Sequence, residues 1–198
     1  MICRYSAEIT AGALKLPESR IVADLLLQNL TPAEWKQAIR EDNRLQTKNP
    51  ATATRLSHLI RSRLAPMTAE LWRMVRDGNS LLATQAVFAA AVKQSPLLGD
   101  FLDLVVREQV RIFQPRLFPK FWEDYLSDCR QRDPEMPEWS ESTKQRLRSS
   151  VFQMLAQVGY IENTRTLKLQ SVFLAPQVLH YCQKQHEEYV LRCMQVAP

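Results

Sequence analysis

The chain has 198 residues, with 26 Lys and Arg against 21 Asp and Glu, a net charge of +5 and a pI near 9.2. At 45% hydrophobic and 24% charged residues it has the make-up of a folded globular protein, which excludes wholesale disorder, and four glycines leave little material for phosphate-cradling loops. The longest apolar run, Leu81–Val92, is 12 residues broken by Thr84 and Gln85, short of the roughly 20 that a membrane helix needs.

Apolar spacing is helical nearly throughout. Pro17 followed by Ile21, Leu25, Leu26 and Leu30 predicts a first helix with proline in its opening turn. Thr31-Pro32-Ala33-Glu34 reads as a capping box, opening a helix to about Glu41 that buries Trp35, Ala38 and Ile39. Asn49-Pro50 starts a third helix, which Ala65-Pro66 ends; Thr68 to Arg76 forms a shorter one closed by Asp77-Gly78-Asn79. The Ala-rich stretch from Ser80 to Gln94 is expected to be buried on most sides. A helix from Pro96 to about Phe113 should turn Phe101, Leu104, Val105 and Ile112 inward and Asp103, Arg107 and Arg111 outward.

Pro115 and Pro119 bracket a turn before the aromatic helix Lys120 to Cys129. Arg130 to Trp139, with Pro134 and Pro137 among acids, reads as a linker, giving an N-terminal helical domain over 1–132 and a C-terminal unit over 133–198. Ser140-x-Ser142-Thr143 caps a long helix with Leu147, Val151, Met154, Leu155 and Val158 on its apolar face, and Gly159 sits where a helix terminator belongs. Tyr160-Ile161 and Leu167 to Phe173, parted by the polar turn 162–165, give the chain's one β-hairpin signal. Pro176 opens a terminal helix to about Cys193.

The search for catalytic chemistry returns little. No dinucleotide fingerprint, P-loop or nucleophile elbow is present. Asp100, Asp103 and Glu108 fall within one helix at spacings that cannot converge on a metal without outside ligands. His180, Cys182, His186 and Cys193 are the only soft-ligand cluster, and their spacing is not that of a zinc site. The four cysteines, Cys3, Cys129, Cys182 and Cys193, include no C-x-x-C pair and fit a reducing compartment; the N-terminal stretch, carrying Glu8 and Lys15, lacks a secretory apolar core. The expectation is a soluble cytoplasmic protein that is not an enzyme and needs no cofactor or metal.

Charge is more informative in its placement. Asn43 to Arg76 carries seven bases against Glu70 alone, or +6; Glu123 to Glu141 is −5; Ser142 to Gln170 is +4. Basic islands of this kind attract polyanions, although the same charge also serves simply to solvate helix faces. In the first island, Thr52, Thr54, Arg55, His58, Arg61 and Arg63 sit on the helix from Pro50, which with the helix before it makes a candidate helix-turn-helix, Arg55 being the best placed to reach a base edge. The connection 42–49 is longer than such a turn usually allows, and a three-helix core with a basic face fits the segment equally. In the second, a helix bearing Lys144, Arg146 and Arg148 precedes a hairpin carrying Arg165 and Lys168, the outline of a winged helix that would position a duplex by its phosphates. A small docking or dimerisation unit has the same outline.

Ile9-Thr10-Ala11-Gly12, Glu34-Trp35, Asn43-x-Leu45-Gln46, Thr54-Arg55, Asp100-Phe101-Leu102, Val105-Val106-Arg107-Glu108 and Trp139-Ser140-x-Ser142-Thr143-Lys144 through Gly159 together resemble the BrxA family, accessory proteins of bacterial BREX (bacteriophage exclusion) systems. The similarity runs over nearly the whole chain and implies a non-catalytic, mainly α-helical protein that binds double-stranded DNA beside other BREX components. The alternative reading is a scaffold whose basic faces dock on acidic partners in the same complex.

Overall fold

The structure, a computed structural model, describes residues 3–11 and 13–196, and Gly12 of the first family motif lies outside them. It is mainly helical and divides into two compact units: residues 14–94, and residues 1–13 together with 95–198.

Residues 14–94 form α1 (Leu16–Leu27), α2 (Pro32–Arg40), α3 (Pro50–Leu64), α4 (Ala69–Asp77) and α5 (Ser80–Gln94). The starts follow the local chemistry. Thr31 and Glu34 close a reciprocal capping box on α2, and the Asn49 side chain accepts the Ala51 amide at the head of α3. In α5, Ala83, Ala86, Ala89, Ala90 and Ala91 are fully buried, as are Val87, Phe88 and Val92. Their small side chains let α1, α3 and α4 pack around one central helix. Arg20 donates to the Arg76 and Gly78 carbonyls, satisfying groups that the end of α4 leaves open.

The other unit has a short 3₁₀ turn (Glu8–Ala11), then α6 (Pro96–Asp100), a π-helical turn (Phe101–Val106), α7 (Arg107–Arg111), α8 (Pro119–Arg132), α9 (Glu141–Val158), α10 (Pro176–Lys184) and α11 (Glu188–Met194). The π turn corrects the inward face expected for the helix from Pro96. An i→i+5 bond, from the Arg107 amide to the Leu102 carbonyl, puts an extra residue into the turn and moves later positions off the 3.6-residue period. Leu97 and Leu98 before the turn and Phe101, Leu102 and Val106 within it are buried, whereas Leu104 and, beyond the turn, Ile112 are about half exposed. Asp103, expected outward, is largely covered and holds both Arg107 and Arg192.

Asp100 ties this unit together. It is 6% exposed and accepts from the Tyr5 and Tyr189 hydroxyls, each at 2.8 Å, and from two nitrogens of Arg4 at 2.8–3.1 Å. Burial, reinforced by the carboxylate, pushes both phenols' pKa up, so they remain protonated donors. Gly99 makes room for this contact: a Cβ there would lie 2.4 Å from the Tyr189 hydroxyl oxygen.

The domain boundary expected at residue 132 falls inside this unit. Asp133 accepts the Arg4 amide at 2.8 Å and Met136 is buried, so the proline-bearing segment is packed rather than free. Contacts place the breaks at 13/14 and 94/95 instead, because the N-terminal segment folds back onto helices that lie much later in sequence. The terminal helix also differs from its expectation. His186 adopts a left-handed φ of 55°, the His186 amide bonds Gln183 O, and the Glu187 amide bonds Cys182 O. This Schellman arrangement ends α10 without a glycine.

Gly159, at φ 97°, does end α9. Beyond it the expected hairpin contains no extended strand among the described residues. Ile161 and Leu169 form one antiparallel bridge, flanked by bonds from the Glu162 amide to Lys168 O and the Gln170 amide to Tyr160 O. A second bridge, Arg116 to Lys168, brings 115–117 alongside.

Candidate nucleic-acid interface

The α2–α3 pair presents the first basic surface. Thr52, Thr54, Arg55, His58 and Arg61 are all exposed, with Arg55, His58 and Arg61 recurring every three residues along one side of α3. The two helices contact each other in antiparallel order. The Trp35 indole donates to Ser57 Oγ and Arg61 stacks 4.2 Å over the Trp35 ring, while Arg40 Nε donates to Thr54 Oγ1. This cation–π contact keeps the Arg61 guanidinium over the ring while leaving the residue exposed. The connecting loop is long but ordered by its own bonds: Asn43 exchanges hydrogen bonds with the Thr47 backbone, and Leu45 is buried. Arg40 and Trp35 were not in the sequence-derived set. No local signal marks them, since positions five apart on a helix lie about 140° apart; what they touch on α3 brings them in.

Arg63 is a correction. It is 1% exposed, so it cannot meet a surface ligand. On a helix it lies about 200° round from Arg61, on the side of Ala53, Ile60 and Leu64, all fully buried. Burial pushes its pKa down to about 10, and Nε and Nη1 have no hydrogen-bond partner. A buried cation with so little compensation costs stability, so Arg63→Met should leave unfolding free energy unchanged or raise it by about 1–3 kcal/mol. Urea unfolding measures this. Duplex titration of the same variant should match the parent, and a folded variant with lost duplex affinity would restore Arg63 to the interface.

The second surface lies on α9 and the turn beyond it. Lys144 and Arg148 are half-buried and already answered: Lys144 Nζ lies 2.7 Å from Glu141 and Arg148 Nη1 lies 3.1 Å from Glu123. Arg146, Arg165 and Lys168 are exposed and have no ion-pair partner among the described residues. The turn carrying Arg165 is shaped by Asn163, whose side-chain oxygen accepts the Arg165 and Thr166 amides. The bridge adds Arg116, an exposed cation directly opposite Lys168 and likewise without an ion-pair partner among the described residues. Like charges facing across a bridge repel. Arg116 lies about fifty positions from Lys168, in a segment with no local signal, so only the tertiary pairing reveals it.

The other sequence candidates are not brought together. Among the described residues no three of His, Cys, Asp or Glu converge on a possible metal position. Asp100 is committed to the tyrosine–arginine cluster, and His180 and His186 are exposed while Cys182 and Cys193 are buried. Burial pushes the Cys193 thiol up to about 11. Among the described residues no helix is long and apolar enough to cross a membrane.

The family model described as BrxA matches residues 3–186. A BREX protein BrxA of Paramagnetospirillum magneticum (strain ATCC 700264 / AMB-1) is 53% identical over 194 residues, spanning 98% of each chain. A BREX protein BrxA of Escherichia coli O9:H4 (strain HS) is 30% identical over 173 residues, spanning 87% of this chain and 81% of its own. A crystal structure of an uncharacterized protein from Magnetospirillum magneticum is similar over 98% of this chain and 100% of its own, with a TM-score of 0.92 and 50% identity.

Proposed function

The chain belongs to the BrxA family of BREX proteins, and on that premise we propose that it serves bacterial phage defence as a non-catalytic, cytoplasmic binder of double-stranded DNA. It works beside other BREX components and needs no cofactor. The observation that carries this reading is the cluster of exposed cations without carboxylate partners, Arg146, Arg165, Lys168 and Arg116, two of which face each other across a β-bridge. Such repulsion is relieved when an anion sits between the charges, and a duplex supplies phosphates at regular intervals. In this reading α9 and the short hairpin act as helix and wing, the wing cations tracking the backbone. The exposed face of α3 makes a second footprint, with Arg55 and Arg61 on phosphates or base edges in the manner of a recognition helix.

Fluorescence anisotropy on a labelled duplex, titrated from low to physiological salt, tests this. A footprint of about five phosphates predicts a log–log salt slope near −4.5, with duplex DNA preferred over single strands and duplex RNA. Absence of binding at modest salt, or equal binding to every polyanion, would overturn it and point to basic faces that meet acidic proteins.

A further inference from the structure

Phe113 ends α7 in a manner that folding alone does not call for. The Gln114 amide bonds Gln109 O at 2.9 Å and the Phe113 amide bonds Val110 O at 3.0 Å, a Schellman stop with Phe113 in the left-handed position at φ 56°. Glycine takes that conformation without steric cost, whereas a residue with a Cβ does not. Packing recovers nothing in return, since Phe113 is 92% exposed. We propose that its ring is a wedge that enters the minor groove of a DNA duplex and inserts between two base pairs, bending the duplex by about 20–90° toward its major groove. This role rests on the duplex-binding reading above and adds to it a residue that deforms DNA rather than holding it.

The ring stands on a fixed base beside the wing. Pro115 O accepts the Leu169 amide at 3.1 Å, the Leu117 amide donates to Leu167 O at 2.8 Å, and the Leu117 side chain is fully buried. These bonds and the Schellman stop order the segment before any ligand arrives, which lowers the entropic cost of binding. Arg116, which faces Lys168 across the bridge, follows three positions after Phe113 and so lies within about 11 Å along the chain. Ile112, 54% exposed, widens the apolar tip.

Charge selects a polyanion. The flanking pairs Arg111 with Glu108 and Lys120 with Asp124 are closed. That leaves Arg116, Arg165 and Lys168 against Glu162, or +2, and Glu162 accepts from Thr166 Oγ1. A protruding ring beside uncompensated cations matches a duplex, in which phosphates border stacked bases whose faces an aromatic side chain can cover.

The test reads binding and bending separately, on duplexes end-labelled with a donor and an acceptor and carrying either a central TA step, which kinks easily, or a stiff A-tract. The parent protein is expected to raise energy transfer on the TA duplex and to brighten a 2-aminopurine placed at the step as it unstacks. Phe113→Gly should abolish both signals and weaken the TA duplex by about fivefold. Its A-tract affinity and log–log salt slope should stay at parent values, because no phosphate contact is lost. Its Tm should equal or exceed the parent's, since glycine relieves the left-handed turn, and this separates a lost wedge from a lost fold. Phe113→Leu should retain most of the bend. A duplex that the parent binds without bending, or that Phe113→Gly bends equally, overturns the wedge and leaves the duplex reading standing; failure to bind any duplex overturns both. Anionic vesicles bound more tightly than the duplex, and released by Phe113→Gly, would overturn it in favour of a membrane surface.

Discussion

Replacing Arg116, Arg146, Arg165 and Lys168 together by Ala is expected to remove most duplex affinity at physiological salt and to flatten the log–log salt slope by about 3.6, at about 0.9 per lost phosphate contact. All four are exposed and none has a carboxylate partner among the described residues, so folding gives up little when they go. The contrast with Lys144 and Arg148 sharpens the test. Those two are already balanced by Glu141 and Glu123, and Ala substitution there should change the slope less than any two of the four. On α3, Arg55→Ala with Arg61→Ala should weaken binding alike on all sequences if they hold phosphates. Loss of preference for one site with general affinity intact would make them base readers. Anisotropy on several duplexes reads all of these, and an unchanged slope in the fourfold variant would remove the second surface from the proposed footprint.

Asp100→Ala carries the largest expected cost to folding. It strands two phenolic donors at a site 6% exposed and leaves the Arg4 guanidinium without its carboxylate. Breaking a buried charge cluster from one side costs about 3–5 kcal/mol, which for a chain of this size lowers Tm by roughly 10 °C. Asp100→Asn keeps the shape and one acceptor and should fall between that variant and the parent. Arg4→Ala, whose side chain is 55% exposed, should cost far less, because water can replace it. Calorimetry orders the three variants. Limited proteolysis should show the N-terminal segment released first in Asp100→Ala, since Arg4 and Tyr5 are its ties to that residue. A Tm unchanged in Asp100→Ala would mean that the cluster adds nothing to stability.

Local chemistry was legible in the sequence wherever it acts over one helical turn. The capping box at Thr31 and Glu34, the Asn49 cap, the buried alanine helix and the stop at Gly159 all stand where the residues put them. Each depends on groups within a few positions of one another, and their hydrogen bonds or missing Cβ atoms decide the backbone locally. The π turn did not announce itself, because apolar residues at 101, 102, 104, 105 and 106 satisfy either period. The break at His186 was hidden for a related reason: the left-handed position is filled by a residue with a Cβ rather than by glycine.

The candidate surfaces divide along the same line. Composition and charge spacing by themselves determined that the chain is a mainly helical protein with two basic islands around an acidic one, and the motifs carried its family. Only the tertiary structure decided which of those cations are available. It buried Arg63, pinned Lys144 and Arg148 with carboxylates, and brought Arg116 from a distant segment to face Lys168. The physical reason is range. Helix propensity and capping are settled by neighbours in sequence, whereas the exposure and pairing of a charge depend on whichever segment packs against it, and the contact between 115–117 and 167–169 has no local signature at either end.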